Sequence, residues 1–290
     1  MEIKNVLVMG SGVMGSGIAQ IAAQAGYKVT IEDISEEYIQ KGVASIDRSL
    51  SRGVKKGSIS EQDKASIMSR LSTATDLNSA KDADLVIEAI PESLELKLSA
   101  FKELDSICQE HTILASNTSS LAISAMAAAT KRQPKVIGIH FMNPVPVMKG
   151  VELIRGKHTS DETFQTCKAF VESLGKEPCE AIDYAGFIVT RILDAMMNEA
   201  FHCVMDGNKP EEVDKAMRIC CNFPMGPLEL CDLAGADIVL HGLETLNEEF
   251  GDRLHPAPLL KTMVRAGDLG RKTGRGFYDY TKEAQLTPSG

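Results

Sequence analysis

The side chains able to do chemistry fall in a few short words of the sequence. His140 sits in Gly138-Ile139-His140-Phe141-Met142-Asn143-Pro144, after an apolar run and before a proline-rich turn. An imidazole there can take or give a proton, because its ordinary pKa lies near neutrality. One histidine is an ambiguous signal, since a hydrogen-bonded structural residue reads the same way. Glu152 falls in the next apolar run, 151–154. Residues 115–120 read Ala-Ser-Asn-Thr-Ser-Ser. In that stretch Ser119 and Ser120 can hydrogen-bond a ligand or cap the following helix.

A second word points to a phosphate ligand. Gly10-Ser11-Gly12-Val13-Met14-Gly15 is G-x-G-x-x-G, directly after an apolar run. Gly10 permits the tight turn, Gly12 the approach of a pyrophosphate, and Gly15 close packing of the helix on the sheet. The helix opening at Val13 and Met14 presents free N–H groups and a partial positive charge to the phosphates. Asp33 closes the next apolar run at the spacing expected of a ribose-binding acid. With Glu32 beside it, the pair of acids disfavours a 2′-phosphate, so the expected cofactor is NAD.

These residues need elements to place them. Short runs rich in Val and Ile at 3–9, 28–31, 84–88, 112–116 and 135–139 alternate with helical patterns near 13–25, 35–52, 60–70, 93–107 and 120–129. That alternation reads as a parallel sheet covered on both faces. Strands at 151–154 and 176–179 bracket a further helix near 160–174. Beyond about residue 185 the pattern turns helical. Apolar positions from 188 to 205 form one wide stripe. Pro210 suits the first turn of the next helix, and helical patterns continue at 226–233, 235–249 and 257–266. A last strand is expected at 276–280. The expected architecture is a Rossmann-type α/β domain over residues 1–185 and a mainly α-helical domain over 186–290.

Composition narrows the partners. Among 290 residues, 31 Lys and Arg against 40 Asp and Glu give a net charge of −9. That balance argues against nucleic acid, whose binding needs clustered cations. No apolar run approaches a membrane span. The opening MEIKNVLVMG runs straight into the glycine word and reads as a first strand, not an export signal. The seven cysteines include no C-x-x-C, and the six histidines are dispersed. No metal site is expected. A cytoplasmic location suits unpaired thiols, and Cys220 and Cys221 are too close in sequence to pair. Met196, Met197, Met205 and Met217 read as packing residues.

The words taken together resemble the L-3-hydroxyacyl-CoA dehydrogenase family, and most closely its bacterial 3-hydroxybutyryl-CoA members. The resemblance runs nearly end to end, through the glycine motif, SNTSS, HFMNPVPVMKGVE, GFIVTRIL, PMGPLEL and GRKTGRGFYDY. It implies an NAD-dependent oxidoreductase acting on a short acyl-CoA. His140 is then the general acid/base, Glu152 orients its ring, and Ser119 hydrogen-bonds the substrate's 3-oxygen. Glu92, Lys97, Asn117, Ser119, Asn143 and Arg275 join the glycine loop and Asp33 as NAD contacts. Arg275 stands where the family usually has Lys. Ser49 and Lys56, with Asn143, become substrate contacts. Ser49 and Lys56 lie within a basic cluster, Arg48, Arg52, Lys55 and Lys56, that offers coenzyme A a local positive field on an acidic protein. The helical domain is expected to form a homodimer.

One position departs from the family. Thr190 stands where GFIVTR would carry Asn. A hydroxyl replaces an amide with two donors, and losing a polarising donor costs about 10²–10³ in rate. Asn198, further along the same helix, is a candidate to serve the region instead. Two alternatives follow. One is a dehydrogenase of another 3-hydroxyacyl-CoA or of a free hydroxy acid. The other is an NAD- and acyl-CoA-binding protein with weak activity.

Overall fold

The computed structural model describes residues 2–281. The chain divides into two compact units, Met1–Tyr184 and Ala185–Gly290. Residues 282–290 of the helical domain expected over 186–290 lie outside the described residues.

The first unit runs β1 (Asn5–Met9), α1 (Val13–Gln24), β2 (Lys28–Glu32), α2 (Glu36–Lys55), α3 (Glu61–Met68), β3 (Leu71–Ala74), β4 (Leu85–Glu88), α4 (Leu94–Ile107), β5 (Ile113–Ser116), α5 (Ile123–Ala128), β6 (Val136–Phe141), β7 (Gly150–Arg155), α6 (Asp161–Ser173) and β8 (Glu177–Ile182). The strands form one sheet in the order β3-β2-β1-β4-β5-β6-β7-β8. Order reverses between β1 and β4, and such a switch point opens a crevice at the strands' carboxyl ends. All neighbours are parallel except β6 and β7. Val6, Val8, Ile31, Leu85, Ile87, Ile139 and Leu153 carry the core, with Ile18, Ile46, Leu50 and Phe170 packed from the helices.

Helix ends follow local chemistry. α2 starts on Ser35, whose side chain accepts from Glu37 N, and ends with Arg52 and Lys55 in its last turn. α4 starts on Ser93, which accepts from Leu96 N. The helix expected over 120–129 begins later, at Ile123, with Ala122 at its N-cap and no capping side chain of its own. Asp183 caps it instead, accepting from Ile123 N and Ser124 N at 2.9 and 2.7 Å. Neither Ser119 nor Ser120 is therefore a helix cap. β3 was not expected: its two middle residues are exposed, so it carries no apolar signal.

The second unit holds α7 (Val189–Met205), α8 (Pro210–Cys220), α9 (Pro227–Ala234), α10 (Ala236–Phe250) and α11 (Pro258–Ala266). Met197, Phe201, Leu228, Val239, Leu243 and Leu260 form its core. Buried Asp214 serves the start of α9, accepting from Leu228 N and Glu229 N at 2.8 and 3.0 Å. The strand expected at 276–280 is absent as a strand. Its backbone donors Phe277 N and Tyr278 N go to the Asp232 carboxylate, leaving only isolated bridges at Arg275.

Candidate active site

The glycine loop lies between the end of β1 and the start of α1. Gly10 has φ +101°, and a Cβ there would come within 2.6 Å of Ala89 O. A Cβ on Gly15 would lie 1.8 Å from Gly10 O, so the contact that requires glycine is with the loop itself. Gly12 is different, because a Cβ there would meet nothing within 4 Å. The space beside it is open, Gly12 is the N-cap of α1, and no side chain caps that helix. Val13 is 74% exposed and Met14 half-buried. An uncapped helix start facing open space fits a pyrophosphate, so these residues suit the cofactor.

Asp33 does two jobs. Ser11 N and Ser11 Oγ donate to its Oδ2 at 2.8 and 2.7 Å, and Ile34 N donates to Oδ1 at 2.8 Å. The acid that would meet a ribose thus also locks the loop. Its neighbour Glu32 is buried, and burial, then the charges of Asp33, Asp76 and Glu103, push its carboxyl up to about 7. Glu32 so shifted carries only part of a negative charge near neutral pH. Ser11 was not singled out from sequence; a hydroxyl between two loop glycines was the available signal.

His140 and Glu152 stand opposite each other in the antiparallel β6–β7 register. Glu152 Oε2 lies 2.8 Å from His140 Nδ1. His140 is 7% exposed and Glu152 2%. An ionised carboxylate only accepts, so this contact calls for a proton on Nδ1 and holds the ring plane. Asn117 Oδ1 accepts from Phe141 N at 2.9 Å, tying the end of β5 to the residue after the histidine. Beyond β6, Asn143 is exposed and joined to Pro144 by a cis bond. Buried Lys176 holds the turn that follows, donating to Val145 O and Met148 O at 2.7 and 2.6 Å. Sequence reasoning missed Lys176, because its partners lie about thirty positions away.

A polar cluster joins the ends of β4 and β5. Lys97 is only 1% exposed. Its ammonium lies 2.5 Å from Glu88 Oε1 and 3.2 Å from Glu92 Oε2, and donates to Ile90 O at 3.3 Å. Glu92 Oε1 accepts from Thr118 Oγ1, from Ser119 N at 3.1 Å, from Ser119 Oγ at 3.5 Å and from Ser120 Oγ at 3.4 Å. Glu92 and Ser119 therefore meet, while Lys97 is committed to two carboxylates and a carbonyl.

The other expected residues lie elsewhere. Ser49 is half-buried on α2, and Arg48, Arg52, Lys55 and Lys56 are exposed at its carboxyl-terminal end. In the second unit Thr190 is half-buried in the first turn of α7. Asn198 is held at both ends of its amide: Oδ1 accepts from Ala257 N at 2.9 Å while Nδ2 donates to His255 O at 3.0 Å. The amide is a clamp between α7 and the segment before α11. Arg275 is exposed and reaches Asp268 at 3.5 Å. Among the described residues no group of three or more His, Cys, Asp or Glu could hold a metal ion, and no helix is long and apolar enough to cross a membrane. The seven cysteines are free, and burial pushes the Cys108 and Cys167 thiols up to about 11 and about 12.

A switch-point crevice with an uncapped glycine-loop helix, an acid at the second strand and an imidazole–carboxylate pair define an NAD-dependent oxidoreductase. Comparison with known proteins agrees. The 3-hydroxyacyl-CoA dehydrogenase NAD-binding domain model matches residues 5–184, and the 3-hydroxyacyl-CoA dehydrogenase C-terminal domain model matches 186–280. The chain belongs to the 3-hydroxyacyl-CoA dehydrogenase family. It is 49% identical over 285 residues to a probable 3-hydroxybutyryl-CoA dehydrogenase of Bacillus subtilis, covering 98% of this chain and 99% of that one. It is 48% identical to a 3-hydroxybutyryl-CoA dehydrogenase of Clostridioides difficile, covering 95% and 99%. The crystal structure of (S)-3-hydroxybutyryl-CoA dehydrogenase from Ralstonia eutropha superposes with a TM-score of 0.93 at 47% identity, covering 97% of this chain and all of that one.

Proposed function

We propose that the chain interconverts (S)-3-hydroxybutyryl-CoA and acetoacetyl-CoA. NAD, held by the glycine loop and Asp33, would supply the hydride acceptor for C3 in oxidation and the donor in reduction. His140 takes the hydroxyl proton at Nε2 as the C–O double bond forms. In reduction it returns a proton to the ketone oxygen. Glu152 keeps the ring in plane and stabilises the imidazolium. Ser119 positions the 3-oxygen, and Ser49 and Lys56 with their basic neighbours hold the phosphates of coenzyme A. Asn117, Asn143, Glu92 and Arg275 complete the cofactor and substrate contacts, and Lys97 contributes by holding Glu92 in place. The single observation that carries this reading is the 2.8 Å contact between His140 Nδ1 and Glu152 Oε2, made by strand register. A homodimer through the helical unit accords with its exposed Ile192, Ile219 and Ile238, and a cytoplasmic location accords with its free thiols.

A second reading, weak turnover, is favoured by Thr190 together with the committed amide of Asn198. One assay separates the two. NADH oxidation with acetoacetyl-CoA is measured for the unsubstituted chain, for Thr190→Asn and for His140→Ala. Turnover in the first, lost by about 10²–10⁴ in the histidine variant, supports the proposal. Turnover only in Thr190→Asn favours the weak binder. Turnover in neither refutes the substrate. Light scattering giving a monomer mass would remove the dimer.

A further inference from the structure

We infer that Glu88 is a positioning residue for the substrate serine, acting through Lys97 and Glu92. The inference rests on the role proposed above for Ser119. Glu88 ends β4 and is wholly buried, yet it takes part in none of the proposed chemistry. Each of its carboxylate oxygens starts an arm that ends in the loop 118–120.

The first arm runs from Oε1 to the Lys97 ammonium at 2.5 Å, and from there to Glu92 Oε2 at 3.2 Å. Glu92 Oε1 then gathers the Ser119 amide and three hydroxyls of residues 118–120. The second arm runs from Oε2 to Ser116 Oγ at 2.6 Å, and Ser116 Oγ in turn accepts from Thr118 N at 3.2 Å. Oε1 also receives Ile90 N at 2.8 Å, which fixes the carboxylate against its own turn. Glu92 is the exposed member, with about a quarter of its side chain in solvent. Held through Oε1 alone, by one amide and three hydroxyls, it could swing outward; Lys97 stops that, and Glu88 stops Lys97 from following. A buried ion pair contributes little net stability compared with apolar packing. What this one delivers is a fixed place for Glu92, and so for the Ser119 hydroxyl.

The test is a double-mutant cycle with two readouts. In the otherwise unsubstituted chain, Glu88→Gln should lower kcat about tenfold, within the coupling range of residues sharing one network, with KM for acetoacetyl-CoA changed less than about twofold. In a Glu92→Gln background the same change should cost clearly less, because only the arm through Ser116 is left to lose. Hydrogen exchange at the amides of Ser119, Ser120 and Leu121 should quicken in Glu88→Gln, while the amides of β1 keep their protection. An equal kcat loss in both backgrounds, or none in the first, overturns the inference. So does unchanged exchange at the loop, whatever the turnover. Activity of the unsubstituted chain reports separately on the proposed function. If Glu88→Gln gives no cooperative melt, Lys97→Gln is taken through the same cycle with the same expectations.

Discussion

Replacing Asp194 by asparagine should stabilise the helical unit at neutral pH and flatten its pH dependence. Asp194 faces inward from α7, buried with Met197 and Phe201 on the same side of the helix. Its Oδ2 presses on α10, where a Cβ added to Gly242 would come within 2.3 Å of it. Burial alone pushes the carboxyl from its ordinary 3.8 up to about 7. Between about pH 4 and pH 7 the native state therefore holds a proton that the unfolded chain has already released. The sign follows: stability is greatest below the unfolded value and is lost as pH rises through the folded one. A separation of about three pH units, at about 1.4 kcal/mol each, sets a ceiling of about 4 kcal/mol. Asparagine has the same shape, so it fits beside Gly242 without carrying charge. Urea unfolding followed by circular dichroism, from pH 4.5 to 8, measures the effect in both proteins. Glu32 also titrates high, but it does so equally in both, so their difference isolates Asp194. That difference should widen by about 3 kcal/mol between pH 4.5 and pH 8, most of it below pH 7. Parallel curves, or a variant less stable than the parent at pH 8, would refute the reasoning.

Two further outcomes test the ligand sites. Gly12→Ala should leave the fold intact and lower the melting temperature only slightly, because its Cβ meets nothing within 4 Å although alanine caps a helix less well than glycine. It should weaken NADH binding by about tenfold or more, the size of one lost charge-assisted hydrogen bond, as read by nucleotide fluorescence; unchanged affinity would mean the pyrophosphate lies elsewhere. Lys56→Ala and Arg52→Ala should raise KM for the acyl-CoA while sparing kcat, and the penalty should shrink as added salt screens the parent's exposed cations. A fall in kcat with KM unchanged would remove the basic cluster from the coenzyme A site.

Much of this was legible because it is local. The glycine word, the alternation of Val- and Ile-rich runs with helices, and Pro210 at a helix start each depend on residues a few positions apart. What escaped depends on distant partners. Ser11 meets an acid 22 positions on, and Ser116 meets Glu88 28 positions back. The Ser119–Ser120 stretch offered two helix-cap candidates, but the cap came from Asp183, some sixty residues away. Asn198 looked available from helical spacing alone, and only the folded chain shows its amide spent on the segment before α11. The expected strand at 276–280 failed for the same reason: a buried carboxylate, Asp232, competed for its donors.

The imidazole–carboxylate pair shows why one antiparallel step interrupts an otherwise parallel sheet. His140 and Glu152 are only 12 residues apart. A parallel neighbour needs a crossover of about a dozen residues or more, usually a helix, before its strand begins. Two residues so close in sequence can stand opposite each other on adjacent strands only if the chain turns straight back. The reversal at 142–149 does that, and it sets Gly138 against Ile154 and Phe141 against Val151. A Cβ on Gly138 would come within 2.8 Å of the Ile154 side chain, so the small residue two places before the histidine helps hold the register. A slip of one residue would turn Glu152 to the opposite face and part it from the ring. The antiparallel pairing is thus what brings two ordinary strand residues together as the imidazole–carboxylate pair on which the proposed proton exchange rests.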